Sequence, residues 1–438
     1  MKMVKSIIDK SEAFFLELPE TWTCDRMKDI ASLRNDKTAE TSSKDDYLEL
    51  EDLDSGTGKL LSKRNTLDVE SSVTLFKKGD VLFGKLRPYL EKYYLADFDG
   101  KCTGEILAFK PDRVEGHFLR YCIASTWFTE KSNALAYGTK MPRVSWAKQL
   151  ALFNIPLPPR NEQHMIAAYL DKTCAAIDMA IEAKQRQLEL LDALRKSIIH
   201  KAVTRGLDDS VELKDSGVGW IGQIPRHWKT DRLRDVTTKI GSGITPEGGG
   251  TVYVDDGIPL FRSQNIYFDG LHLDDIVCIT EEQHRSMSST HVQPYDVLLN
   301  ITGASLGRCH YVPDGFGEAN VNQHVCIIRP TQKLNFKFLF YFITSDAGQS
   351  QILSGFRGAS RQGLNFREIK AFVLTLPPDK EQRDICKYLD SEIIKFKKLK
   401  DNIESQIKTL EQYRKSLIHE CVTGKRRITG DDLKDQHG

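Results

Sequence analysis

Leu157-Pro158-Pro159-Arg160-Asn161-Glu162-Gln163 opens, and Arg195-Lys196-Ser197-Ile198-Ile199-His200-Lys201-Ala202-Val203-Thr204 closes, a stretch that the chain carries twice. The second copy runs from Leu376-Pro377-Pro378-Asp379-Lys380-Glu381-Gln382 to Arg414-Lys415-Ser416-Leu417-Ile418-His419-Glu420-Cys421-Val422-Thr423. The offset is 219 residues without a gap, and 18 of the 48 aligned pairs are identical. A repeat of that quality makes duplication the organising fact of the architecture.

Each copy reads as one long helix entered through a Pro pair, which suits a helix entrance and not an interior. Apolar positions then recur at spacings of four and three. The first stripe is Leu170, Cys174, Ile177, Ile181, Lys184, Leu188, Leu191, Arg195, Ile198 and Ala202; the second is Leu389, Ile393, Phe396, Lys400, Ile403, Ile407, Leu410, Arg414, Leu417 and Cys421. A narrow seam sustained over several heptads asks for a coiled-coil partner. The expectation is that the two copies pack on each other as an antiparallel, pseudo-twofold pair. About 44 residues at ~1.5 Å each make a rod on the order of 65 Å.

The repeat reaches beyond the helices. Leu18-Pro19-Glu20-Thr21-Trp22 is echoed by Ile224-Pro225-Arg226-His227-Trp228, and Gly79-Asp80-Val81-Leu82-Phe83 by Tyr295-Asp296-Val297-Leu298-Leu299. The latter two read as strands after turns. The segments starting at Phe118 and Phe338 read as a short helix in each copy. Between these landmarks the copies diverge, so the order is globular, rod, globular, rod. The fold class is α+β: two mixed α/β globular domains and two long helices. The boundaries are 1–156 for the first domain, 157–206 for the first spacer helix, 207–375 for a polar linker and second domain, 376–424 for the second helix, and 425–438 for a flexible charged tail.

In a chain of 438 residues, 62 basic and 61 acidic residues nearly cancel, so overall charge names no partner. Binding to nucleic acid needs only a local basic face. Nine cysteines without a Cys-x-x-Cys pair read as reduced thiols in the cytoplasm and give no zinc module. No apolar run approaches membrane length.

Charge is uneven within the first domain: residues 36–54 hold eight acids against Lys37 and Lys44, whereas Lys131 to Lys148 carries Lys131, Lys140, Arg143 and Lys148 with no acid. The second domain repeats the basic stretch with Arg357, Arg361, Arg367 and Lys370 against Glu368. Basic residues on Gly-bearing loops beside aromatic ones suit phosphate and base contact. One such loop alone reads better as a solvated surface; recurrence at matching places reverses that. Lys85 and Arg87 beside a turn, and Arg262, Asn265 and Asn322 in stretches rich in Arg, Asn and Gln, supply the side chains that pair with guanine and adenine edges. For any one of them a capping or surface role is as good a reading. The candidate DNA-binding residues are therefore Lys85, Arg87, Lys140, Arg143, Arg262, Asn265, Asn322, Arg357, Arg361 and Arg367. The helix ends, Arg195, Lys196 and His200 with Arg414, Lys415 and His419, read either as packing on the neighbouring domain or as docking surfaces for identical partners. The Gly-rich run Gly241–Gly250 lacks a phosphate-loop ending, and no catalytic, cofactor-binding or metal-ligating set is visible.

Taken together, the two Leu-Pro-Pro-x-x-Glu-Gln entrances, Tyr-Leu-Asp at 169–171 and 388–390, the Arg-Lys-Ser helix ends, the lead-in Asp215 to Pro225, Lys85-Leu86-Arg87-Pro88-Tyr89 and Val321-Asn322-Gln323-His324 make the chain resemble the specificity subunit of a type I restriction-modification enzyme. The first domain lacks the Ser-Gly and Trp-Ile-Gly lead-in. The resemblance implies two target recognition domains that read the halves of a bipartite, asymmetric double-stranded DNA target. It also implies a helical spacer that docks two methylation subunits, which bring S-adenosylmethionine, and further motor-nuclease restriction subunits that use ATP and magnesium. This chain would then hold no catalytic site of its own. The rivals are a self-contained DNA methyltransferase or nuclease, disfavoured by the missing motifs, and a two-partner helical scaffold that never meets DNA.

Overall fold

The computed structural model describes residues 18–39, 46–65, 73–246, 248–357 and 363–434. Both repeats form long helices, Arg160–Arg205 and Asp379–Val422. Each begins directly after its Pro pair and carries acids in its first turn, where the N-terminal dipole favours them. Glycines with positive φ, Gly206 and Gly424, follow their ends, since a left-handed residue satisfies the last carbonyls without Cβ strain.

The chain divides into two compact units. One gathers residues up to Gln185 with those from Glu404 onward, and the other runs from Arg186 to Ile403. In the first, Glu162 lies 3.5 Å from Arg427 and Asp178 lies 3.1 Å from Arg414, so the start of one helix runs against the end of the other. In the second, Ile199, Ala202 and Val203 at the end of the first helix share a core with Ile385, Cys386 and Leu389 at the start of the second. The packing is antiparallel. Leu170, Cys174 and Ile177 are buried as the stripe requires, and so is Arg414; Lys400, placed in the stripe by its spacing, is exposed.

The globular domains share one scaffold. In the first, a four-stranded sheet has the order Ala31–Leu33, Ile106–Pro111, Val81–Gly84, Tyr93–Leu95. In the second, Thr237–Ser242, Val325–Pro330, Val297–Asn300 and Cys309–Tyr311 take the same order. The turn aspartates anticipated from sequence are buried, and each is clamped by an arginine from a different place in its domain. Asp80 receives Arg34 at 2.9 and 3.1 Å, and Asp296 receives Arg329 at 2.7 and 2.8 Å. Among the described residues the domains part company in their second sheets, five-stranded in the first and three-stranded in the second.

The repeated motif residues are joints between helix and domain. The Trp22 indole N–H donates to Glu162 (2.9 Å) and that of Trp228 to Glu381 (2.8 Å). Gln163 accepts from the Glu115 backbone N–H (2.7 Å) and donates to the Pro158 carbonyl (2.8 Å). Gln382 does the same with Asn335 and Pro377, at 2.7 and 2.9 Å. Asp171 and Asp390 accept from the hydroxyls of Tyr121 (2.7 Å) and Tyr341 (2.6 Å). Each buried donor thus finds an acceptor on the first turns of the helix, which fixes how the domain sits on it.

Two segments depart from the sequence reading. Leu213–Asp215, inside the polar stretch taken as a linker, pairs with Gln223–Pro225 as a two-stranded ribbon. Residues 425–433, taken as a flexible tail, are instead anchored. Ile428 is buried in the first unit's core, the Arg426 guanidinium lies 5.2 Å from the Tyr169 ring centre, and Gly430–Lys434 forms a short helix. A charged composition hid one apolar anchor. Residues 435–438 lie outside the described residues.

Candidate nucleic-acid interface

In the first domain, strand Val81–Gly84 runs out of the central sheet into Lys85–Tyr89, and backbone bonds tie that turn to two distant segments. Lys85 N–H donates to Glu105 O (2.9 Å), Val144 N–H to Lys85 O (3.0 Å), and Arg87 N–H to Pro142 O (2.7 Å). Tyr137 and Arg143 exchange both of their backbone bonds at 2.9 Å, closing the intervening loop. Four candidates quoted from separate stretches, Lys85, Arg87, Lys140 and Arg143, therefore stand at one end of one sheet. Tyr89, Tyr137 and Met141 are exposed among them. Arg87 holds a left-handed backbone at φ 50°, a conformation costing about 1 kcal/mol for a residue with a Cβ; Gly303 takes a left-handed conformation after the matching strand of the second domain.

Arg143 is not a bare cation. Its Nε lies 3.1 Å and its Nη2 3.3 Å from the Glu105 carboxylate, and this hydrogen bonding raises its pKa above the ordinary arginine value. Glu105 was not among the sequence candidates. It precedes a strand and lies 38 residues from its partner, a separation at which no periodicity signals contact.

The second domain builds the same place from other residues. Ile301 N–H donates to His324 O (3.0 Å) and Leu364 N–H to Ile301 O (2.9 Å), and Thr302 bridges Gly363. His324 takes the place of Glu105: its Nδ1 lies 2.7 Å from Thr302 Oγ1, and its Nε2 3.0 Å from Nε2 of the exposed Gln323. Gly243 passes so close to Val321 that a Cβ would fall 1.7 Å from its carbonyl oxygen, so this position admits only glycine. Arg367 is exposed on Phe366–Ala371 beside the same edge. Arg361 lies outside the described residues, as does the side chain of Arg357.

Three candidates serve architecture instead. Asn265 is fully buried; its Oδ1 accepts from the Arg262 N–H (3.0 Å) and its Nδ2 donates to His272 O (3.0 Å). Asn322 is buried and accepts from the His324 N–H at 3.0 Å. Short amide side chains cap turns as readily as they read bases. Arg262 is half-buried, with Nη2 donating to Asp275 O (2.8 Å).

The six helix-end residues separate by copy. Arg414 is buried; it donates to Gly56 O (2.7 Å) and Thr57 O (3.0 Å), Lys415 pairs with Glu91 (2.9 Å), and His419 Nδ1 lies 3.3 Å from Thr126 Oγ1. These three fasten the end of the second helix to the first domain, the neighbouring-domain packing that the sequence allowed, which removes Arg414 as an external docking residue. Arg195 and Lys196 instead turn to Asp192 on their own helix, both at 2.8 Å. Burial lowers the pKa of both His200 and His419. Among the described residues, no helix is long and apolar enough to cross a membrane, and no cluster of three His, Cys, Asp or Glu could hold a metal ion.

A family model described as the type I restriction modification DNA specificity domain matches residues 19–190 and again 225–409. A Methanocaldococcus jannaschii protein assigned as the MjaX type I restriction enzyme specificity subunit is 24% identical over 436 residues, covering 94% of this chain and 95% of that one. One chain of a solved structure described as showing complex assembly and conformational transition of the type I R-M system superposes with a TM-score of 0.73 at 20% identity, over 93% of this chain and 99% of the other. The HsdS subunit from Thermoanaerobacter tengcongensis gives 0.51 at 18% identity, over 93% and 98%.

Proposed function

The chain belongs to the family of type I restriction modification DNA specificity domains, and we propose that it is the subunit that reads a bipartite, asymmetric DNA target for such a complex. The observation that carries this reading is that one scaffold is furnished differently in its two copies. Where the first domain sets Glu105 and Arg143 at the end of its central sheet, the second sets His324, Gln323 and Gly363. Conserved geometry with altered polar side chains is what two readers of different half-sites require. The helices serve as spacer and as seats for two methylation subunits, which supply S-adenosylmethionine and methylate adenine. Restriction subunits using ATP and magnesium complete the cytoplasmic assembly, and this chain contributes no catalytic group.

Expression of the chain with its methylation subunit, followed by genome-wide mapping of adenine methylation, tests this. One interrupted, asymmetric motif is expected. Methylation by the purified chain alone, or binding indifferent to sequence at every salt concentration, overturns it. Inserting one heptad into each helix should lengthen the unread gap and leave both half-sites intact; altered half-sites would count against the helices as spacers.

A further inference from the structure

The geometry points to Arg143 as the side chain that reads a guanine in the half-site of the first domain, with Glu105 as its positioning residue. This rests on the DNA-reading role proposed above and adds the base and the atoms. Arginine carries five N–H donors in a planar fork. The Glu105 carboxylate takes Nε–H and one Nη2–H, at 3.1 and 3.3 Å, and Met141 O lies 3.4 Å from Nη1. One N–H on each Nη is left. Two such donors side by side match the O6 and N7 acceptors that guanine alone presents together in the major groove.

Preorganisation strengthens the case. An exposed arginine on a free loop loses rotamer entropy when it binds, but this one is already held at both levels. Its backbone exchanges two bonds with Tyr137 at 2.9 Å and is flanked by the Pro142 and Val144 bonds to Arg87 and Lys85. Its guanidinium is clamped on one edge by Glu105. The two side chains are 34% and 31% exposed, so the pair is not sealed in the core and the free edge remains within reach of a ligand. The carboxylate also imposes selection: it cancels the attraction of Arg143 for phosphate and repels a backbone that approaches without a base-edge contact in return. Neighbouring Lys140 and Arg87, exposed and paired with no carboxylate among the described residues, suit phosphate contact. Among the described residues of the second domain, Gly363 stands where Arg143 does, so that position carries no fork.

The test is adenine-methylation mapping in cells expressing the whole chain, wild type or variant, with its methylation subunit. Arg143→Lys keeps the charge and removes the fork. It should relax one guanine position of one half-site by about 10- to 100-fold in discrimination while the other half-site and the spacer stay unchanged. Glu105→Gln should relax the same position less, and Lys140→Ala should weaken binding evenly across sequences and reduce its salt dependence. Retained recognition of the other positions of the first half-site reports that the mutated domain is folded. A first half-site without guanine, an unchanged motif in Arg143→Lys, or uniform weakening with no change of sequence preference overturns the assignment. If the wild-type complex yields no interrupted motif at all, it is the DNA-reading role itself that fails.

Discussion

Arg195 and Arg414 occupy the same place in the two copies of the repeat, three residues after an acid, and they behave differently. Arg414 leaves Glu411 aside, is buried, and reaches Asp178 and the carbonyls of Gly56 and Thr57. Arg195 folds back on Asp192 and remains partly exposed. Two sequence differences account for this. The mate of Asp178 is Lys397, which repels Arg195 instead of receiving it. The turn joining the bridged residues Leu53 and Leu60 has six residues, whereas the corresponding turn between Ile266 and Leu271 has four, so only the longer one offers carbonyls to the helix. Duplicated helices can therefore keep their motifs while one domain is bolted down by an arginine and the other is not.

The largest test of this contrast is Arg414→Ala, which deprives two carbonyls of their donor and leaves Asp178 with Lys59 (3.3 Å) as its cation. We expect a loss of about 3–5 kcal/mol in urea unfolding of the full chain, against less than ~0.5 kcal/mol for Arg195→Ala. Equal losses would break the comparison. Next comes acid. His310 on Cys309–Tyr311 corresponds to Tyr94 on Tyr93–Leu95, as each pairs with the matching leucine, Leu298 or Leu82, of the neighbouring strand. Burial lowers the His310 pKa to about 4, so it is neutral in the fold, while burial raises that of Tyr94. The unfolded chain takes up the proton first. Stability is thus complete above pH 6.5 and declines as pH falls from there toward 4, by up to about 3 kcal/mol. His310→Tyr should flatten that slope in denaturant midpoints followed against pH; an unchanged slope would place the acid sensitivity elsewhere. The smallest effect is Lys397→Asp, which should draw Arg195 across to the second helix and stabilise by about 0.5 kcal/mol, seen as coupling in a double-mutant cycle with Arg195→Ala.

Much of the frame was legible because period and repetition are local signals. The gapless offset of 219, the Pro pairs and the stripe from Leu170 to Ile177 gave two helices, and paired landmarks such as Gly79-Asp80 and Tyr295-Asp296 gave the matching strands. The site was legible only in part. Lys85, Arg87, Lys140 and Arg143 could be named, but not that backbone bonds gather them or that Glu105 holds Arg143. Asn265 and Asn322 were indistinguishable from base readers, since an amide that caps a turn and one that meets an adenine use the same two groups. Burial of Arg414 depends on partners more than two hundred residues away, beyond the reach of any window.

The first unit takes residues from both flanks of the second: its core includes Trp22 and Phe118 but also Leu417, Cys421, Val422 and Ile428. The second unit is drawn from one uninterrupted run, Arg186 to Ile403. During synthesis the later-encoded body can therefore finish folding while the earlier one still waits for its closing helix. A chain cut between Ile403 and Leu417 would leave the first unit with an open, greasy wound, a ready substrate for chaperones and proteases.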